Sequence, residues 1–441
     1  MAILRTAVVW TDDLGRTHTL KDVKSFNIKQ SAGIKNNQSN ITLRNSIGSI
    51  KPYSEFNTAL FEPNQDILLY ARYDNDGTGL DLVNDNLVFS GRVVEFEGES
   101  NDSTTDLKLK CSDSSYIMLN RIFIGEVEGT VDDIIKYVID TSNEYTADPN
   151  ARVRYDGGFI VDERSNGTSF SSELYSSPGK PVYEVLSDLS EPLYTGEPEN
   201  INYRFFVDKN NQLHWFYPSD GAQHILIEGS RTTNERTYTH PITGESVEFS
   251  DTNTHKVINT KLTRAVYDIV NFIIYKAGED LEGDQIMGFA FDPTSGIPNT
   301  NDSFRSYEKV TKTLKRIEQV QGNLNKVYGD QYELDGTSGT TSWGVSYSNA
   351  AEYNTAFVER AERVAQVLAE SEFRTTGSPR FKGTIEVQGQ GIYQPNDALL
   401  FSSDRLGIQN SFMRITDVQH NFQKGGWFTT LSVQEEIRRN L

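Results

Sequence analysis

The chain has a single cysteine, Cys111, among 441 residues. That excludes an internal disulfide framework and a cysteine-built metal cluster. Cys111 alternates with Leu107 and Leu109, which places it on the apolar face of a strand as a small buried hydrophobe. Long hydrophobic runs are also missing. The stretch from Met1 to Trp10 is broken by Arg5 and followed by Asp12 and Asp13, so it is neither a signal peptide nor a membrane anchor. No segment approaches the ~20 apolar residues of a membrane-spanning helix, and the expectation is a soluble chain made in the cytoplasm. Basic stripes are lacking too. With 42 Lys and Arg against 62 Asp and Glu, the formal net charge is −20. A general nucleic-acid binder needs clustered cations to neutralise phosphate, so that class is excluded, and the acidity implies solubility and repulsion of polyanions.

Catalytic signatures are equally scarce. The six histidines are His18, His214, His224, His240, His255 and His420, and no two have the spacing of a helical zinc site. Gly-x-Ser-x-Gly and the phosphate-binding Gly-Lys-Ser/Thr loop are absent. Asp74 to Gly79 is a turn between strands, without the third ligand and distal Glu of a calcium loop. The acidic runs Glu95–Glu99 and Asp280–Asp284 read as solvated turns or faces. No catalytic residue, metal site or cofactor is indicated, and the chain is not expected to be an enzyme.

What is present is β-structure. Aromatics reach 11%, with 21 Tyr and 23 Phe, enough for packed cores in a β-rich protein. Two stretches carry the same succession of cues. Asp22–Ile28 matches Asp268–Ile274, and Asn40–Arg44 matches Gly383–Val387. Glu62–Tyr70 matches Gln394–Phe401, Arg92–Phe96 matches Arg414–Val418, and Thr105–Leu109 matches Thr430–Val433. The expected fold is a β-rich α+β protein: two similar antiparallel β-barrel modules with inserted α+β regions. The first module covers 1–119. An α+β domain fills 120–261. The second module takes 262–278 and 353–441, interrupted by an insertion over 279–352.

Inside 120–261, Thr130 caps a helix running to about Ser142. Pro181 opens another, with Val182, Val185, Leu186 and Leu189 on its buried side. Tyr203–Val207 and Leu213–Tyr217 flank a polar turn and form a hairpin. Residues 145–180 read as a polar excursion, and 334–342 as flexible. A helix spans about 355–372, with a stripe of Phe357, Ala361, Val364, Ala365 and Leu368.

The C-terminal run carries a resemblance. The helix Phe357–Val364, the strand Gly383–Gly389 and the turn Gln394–Asp397 are followed by Arg414–Phe422 and by Gly425–Leu431. Ile415, Val418, His420 and Phe422 fit a Val-x-x-Val-x-His-x-Phe strand placed before a Gly-Gly-aromatic turn and a Thr-x-Leu strand. This resembles the baseplate hub proteins of contractile-tailed bacteriophages, a group that includes the late control proteins and the hub portions of related injection machines. Phe89–Val93, Leu107–Asp113 and Asp268–Asn271 fit in patches. The family usually has Pro-Gly-Asp where this chain has Pro395-Asn396-Asp397.

The resemblance implies a homotrimer whose two modules per chain make a pseudo-sixfold ring in the virion baseplate. One face of the ring meets the hexameric tail tube and the other holds the central spike. Genome DNA passes through the lumen without specific binding. Tape-measure and wedge or peripheral baseplate proteins are further neighbours. Because the chain stops at Leu441, the spike is expected to be a separate protein. His420 is a structural strand residue in this picture. Trp427 and Phe428 lie near a barrel edge, either in the core or at a subunit contact. Two other readings compete: a carbohydrate- or receptor-binding β protein of the same virion, using aromatic strands such as Leu213–Tyr217, and a cell-wall hydrolase.

Overall fold

A computed structural model describes residues within 3–31, 38–44, 65–144, 159–161, 175–190, 204–228, 237–239, 246–248, 254–291, 308–313, 339–349 and 352–436, with short gaps inside those spans. The chain is mostly antiparallel β-sheet, dominated by one thirteen-stranded sheet. Alternation of apolar and polar residues builds these strands. In Gly426–Glu435 the inward set is Trp427, Thr429, Leu431 and Val433, and the intervening residues are half-buried.

Two runs of this sheet follow the same order. In the first half, Val23–Ser31, Gln38–Arg44, Thr105–Ser112, Leu87–Ser100 and Asp66–Asp74 are antiparallel neighbours in that succession. In the second half, Thr254–Arg264, Phe381–Gln388, Gly426–Glu435, Ile408–Gln423 and Ala398–Ser403 repeat it. Four of the five sequence cues therefore fall on strands with corresponding places.

Finer details correspond as well. The register slips between Val93 and Glu95 in one half and between Ile415 and Asp417 in the other, so Val94 and Thr416 are the extra residues of matching bulges. Val93 N–H donates to the Gln65 carbonyl at 2.9 Å, and Ile415 N–H donates to the Asp397 carbonyl at 2.9 Å. The residue before each bulge pair is a buried arginine, Arg92 at 6% exposure and Arg414 at 3%.

The expectation needs correction in four places. The cue Asp268–Ile274 does not enter the second run: Val270–Glu279 pairs with Gln285–Phe291 and Glu308–Thr313 in a separate sheet. The counterpart of Val23–Ser31 is instead Thr254–Arg264, which straddles the boundary placed at 261. His224–Glu228, expected within the inserted domain, joins the main sheet in parallel between Ala398–Ser403 and Thr254–Arg264. The polar excursion 145–180 is partly regular, since Phe159–Val161 pairs with Leu213–Phe216 and Tyr175–Pro181 with Ile122–Val127, and the insertion 279–352 supplies Gln285–Phe291, Glu308–Thr313, Gly339–Thr340 and Ser346–Tyr347.

The two expected β-barrel modules share one sheet. Ile408–Gln423 pairs through residues 408–414 with Ala398–Ser403 and through residues 417–422 with Val23–Ser31. One sixteen-residue strand thus serves both halves. In the second half the pairings continue from strand to strand and return to Ile408–Gln423. In the first half Ile3–Thr11 and Val23–Ser31 are not hydrogen-bonded neighbours among the described residues.

The inserted α/β unit follows its sequence cues. Helices run over Val131–Glu144 and Val182–Leu189, and Arg204–Val207 pairs with Leu213–Phe216 as a hairpin. The described positions between 355 and 373 are helical. Ala361 and Ala365 are buried in the core of this unit rather than in the second half. Phe357, Val364 and Leu368 lie outside the described residues, as does most of 334–342. Among the described residues no helix is long and apolar enough to cross a membrane.

Candidate functional site

The residues singled out from the sequence converge where the two halves meet. Trp427 belongs to a second-half strand but is buried in the first half's core, at 2% exposure. Tyr73 reaches it from the first half. The Trp427 N–H donates to the Tyr73 hydroxyl at 2.9 Å, and that hydroxyl donates to the Trp427 carbonyl at 3.1 Å. The two rings stack at 6.1 Å with 19° between planes. Phe26 meets the indole edge-on at 6.1 Å. On the other side Gly389 N–H donates to the Trp427 carbonyl at 2.9 Å. A Cβ on Gly389 would lie 2.1 Å from the indole Cγ, so only glycine leaves room for the ring. Trp427 is thus a core residue of this chain. Phe428 points to the opposite face of the same strand and is half-buried.

His420 is one strand over, paired with Thr429 and with Ile28 of the first half. Its Nδ1 lies 2.9 Å from the Thr429 hydroxyl, and the ring is 1% exposed. Burial, with the nearby Lys209 charge as a second cause, pushes its pKa down to about 3. The ring is therefore neutral at pH 7, with Nδ1 and the Thr429 hydroxyl sharing one hydrogen bond. This is a structural histidine held by its strand neighbours. His214 contacts Asp208 at 3.1 Å and stacks on Phe206. His224 contacts Asp397 at 2.8 Å.

Asp397 closes the turn that begins at Gln394. Its carboxylate accepts the Gln394 N–H at 2.8 Å. Asn396 has φ of 73°, in the left-handed region that asparagine tolerates better than most residues. That is why Asn396 can stand where the family resemblance leads one to expect glycine. Beside the turn, Arg414 binds the Glu436 carboxylate at 2.8 Å and the Asn396 carbonyl at 3.0 Å. Arg204 of the α/β unit reaches the Asn396 side-chain oxygen at 3.0 Å and Glu436 at 3.4 Å. Burial alone would raise the Glu436 pKa. The hydrogen bond and charge of Arg414, with Arg204 and Arg380, outweigh it and hold the carboxyl below its ordinary value.

The remaining candidates are structural. Cys111 is fully buried, and burial pushes its thiol pKa upward, away from reactivity. Asp74 accepts the N–H of Gly77 at 2.7 Å and of Gly79 at 3.3 Å, fixing the turn, and pairs with Arg5 at 3.4 Å. Glu95 lies on the outward face of its strand, 3.5 Å from Lys110. Trp215 is fully buried and Phe205 is 8% exposed, so these two rings of the aromatic hairpin face the α/β core. Among the described residues no group of three or more His, Cys, Asp or Glu is placed to hold a metal ion. The arrangement at the seam joins strands of the two halves.

The same fold occurs in tail proteins. The chain is similar to the tail protein from Neisseria meningitidis MC58, with a TM-score of 0.54 and 11% identity over 98% of this chain and 96% of that one. It is similar to the 43 kDa tail protein of prophage MuSo2 from Shewanella oneidensis, with a TM-score of 0.55 and 12% identity over 98% of both chains. No protein-family model matches the chain, and no curated protein matches its sequence. The likeness is one of fold along almost the whole chain.

Proposed function

We propose that the chain is the structural baseplate hub of a phage tail. In this reading three copies form a ring with six similar lobes, joining a hexameric tail tube to a central spike and leaving a channel for DNA. The observation that carries it is the repeated strand order, with bulges at Val94 and Thr416 in corresponding places. A chain with two related halves lets a threefold object present six similar surfaces, which is what docking onto a sixfold tube requires. The fold shared with two tail proteins supports the same reading. The net charge of −20 suits a channel past which DNA must slide without sticking. Phe428, half-buried beside the seam, is the proposed subunit contact.

The glycan-binding alternative is weakened by Trp215 and Phe205, which are buried in the α/β core. The hydrolase alternative has no arrangement of residues to support it among those described. The test is to mix the purified chain with the tail tube and spike candidates encoded beside it and to follow co-sedimentation. Joint complexes with both are expected. Binding to neither, together with glycan retention or release of peptidoglycan fragments, would overturn the hub reading.

A further inference from the structure

The core of the α/β unit and the core of the second half share no residue. Three polar side-chain contacts cross between these bodies among the described residues: Arg204 to Asn396, Arg204 to Glu436, and the Lys209 ammonium to the Gly391 carbonyl at 3.2 Å. A cavity of about 10 Å³ lies along the same seam, lined in part by Asp208, Lys209, Tyr393, Gln394 and His420. That is room for about one water molecule. Phe206 and Val207 also line the cavity, so the seam combines a few apolar side chains with these polar contacts.

Glu436 is the centre of that seam. One carboxylate oxygen takes Arg414, from the strand ring, and the other takes Arg204, from the α/β unit. Arg380 is a third cation facing the same carboxylate. Glu435, the other acidic group here, already accepts from Ser411 at 2.8 Å and from the Phe381 N–H at 3.0 Å. The two guanidinium groups Arg204 and Arg414 repel one another, and Glu436 is what lets them sit together. The latch is also incompletely satisfied, since Arg380 Nε and Asn396 Nδ2 are buried without a hydrogen-bond partner. The Arg204 side chain is 38% exposed and Glu436 26%, so dissolved ions can screen the contact.

We infer that the α/β unit is a latched body: the Glu436 carboxylate clips Arg204 to the second half, and breaking this contact lets the unit swing away while the strand ring stays folded. The inference does not depend on the hub reading. Its physical basis is that removing the shared carboxylate leaves the Arg204 and Arg414 cations facing each other, and removing Arg204 takes away the cation that ties the unit to it, while the ring's own apolar core is untouched.

Hydrogen exchange on the full chain tests it, with wild type, Glu436→Gln and Arg204→Met compared at low and high salt. Both variants are expected to raise exchange over 204–216 and 391–397 by about threefold to tenfold, with 408–435 as protected as in wild type. High salt is expected to produce part of this effect in wild type and none in Arg204→Met. Arg204 lies outside the ring, so that variant isolates the latch even if Glu436→Gln folds poorly. Unchanged exchange in Arg204→Met, or equal loss of protection over 408–435, would overturn the inference.

Discussion

The Tyr73 hydroxyl both accepts the Trp427 N–H and donates to the Trp427 carbonyl. A first-half side chain therefore satisfies both backbone groups of a second-half residue, at the point where the indole enters the first half's core. Tyr73→Phe is expected to take the hydroxyl partner from the Trp427 N–H, while the carbonyl keeps the Gly389 N–H, at a cost of about 1–3 kcal/mol. Trp427→Ala is expected to cost about 3–5 kcal/mol through the cavity it opens. Trp427→Phe should cost less than Trp427→Ala, since it keeps an aromatic ring and removes an indole N–H that lacks a hydrogen-bond partner. Urea denaturation of the three variants measures this, and equal stability of wild type and Trp427→Ala would contradict the packing described.

Gly389→Ala places a Cβ 2.1 Å from the indole Cγ. Either the ring or the Phe381–Gln388 strand end must move, and overpacking of this kind typically costs about 1–3 kcal/mol. Thermal melting of the single variant checks it. Combined with Trp427→Ala the penalty should shrink, because the obstructing ring is gone; additive losses would place the strain elsewhere.

Acid stability should carry a signature of His420. Its folded pKa is about 3, against 6.5 for the free side chain. Above 6.5 the ring is neutral in both states and contributes nothing to the pH dependence. As the pH falls below 6.5 the unfolded chain takes up a proton that the folded chain refuses until about 3. Stability is thus lost progressively across that window, by about 1.4 kcal/mol per pH unit. His420→Gln lacks this component, so between pH 7 and pH 5 it should lose about 2 kcal/mol less than wild type. Parallel pH profiles would show that His420 is not buried neutral.

Phe428→Ser separates folding from assembly. Phe428 is half-buried and on the face opposite Trp427. The hub reading expects a melting temperature close to wild type and a sedimentation profile shifted from trimer to monomer. Lost folding with no effect on association would assign Phe428 to the chain's interior instead.

Much of this arrangement was legible in the sequence, and the misses have physical causes. Asn40–Arg44, Arg92–Phe96 and their partners showed themselves through alternation next to strong turns. The hairpin around Asp208 was local and closed by its own residues. Thr254–Arg264 escaped because most of it is polar, with Val257 its one fully buried apolar side chain and a register slip at Ile258 breaking the alternation. Val270–Ile274 is more hydrophobic and carries the stronger local strand signal, yet it pairs in a separate sheet. His224–Glu228 joins the main sheet through parallel pairing with strands far away in sequence, and nothing local announces such a pairing. The Arg204–Glu436 contact spans 232 residues and has no sequence signature at all. The turn before Trp427 marks it as a residue near a strand end, but only the fold decides which core it enters.

The central claim is a threefold ring built from a chain with two related halves. Electron microscopy of the purified chain, alone and with the spike candidate encoded beside it, tests that claim most directly. The account predicts three-chain particles with six similar lobes around a central channel in at least one of the two samples. Monomers or twofold particles in both would contradict it.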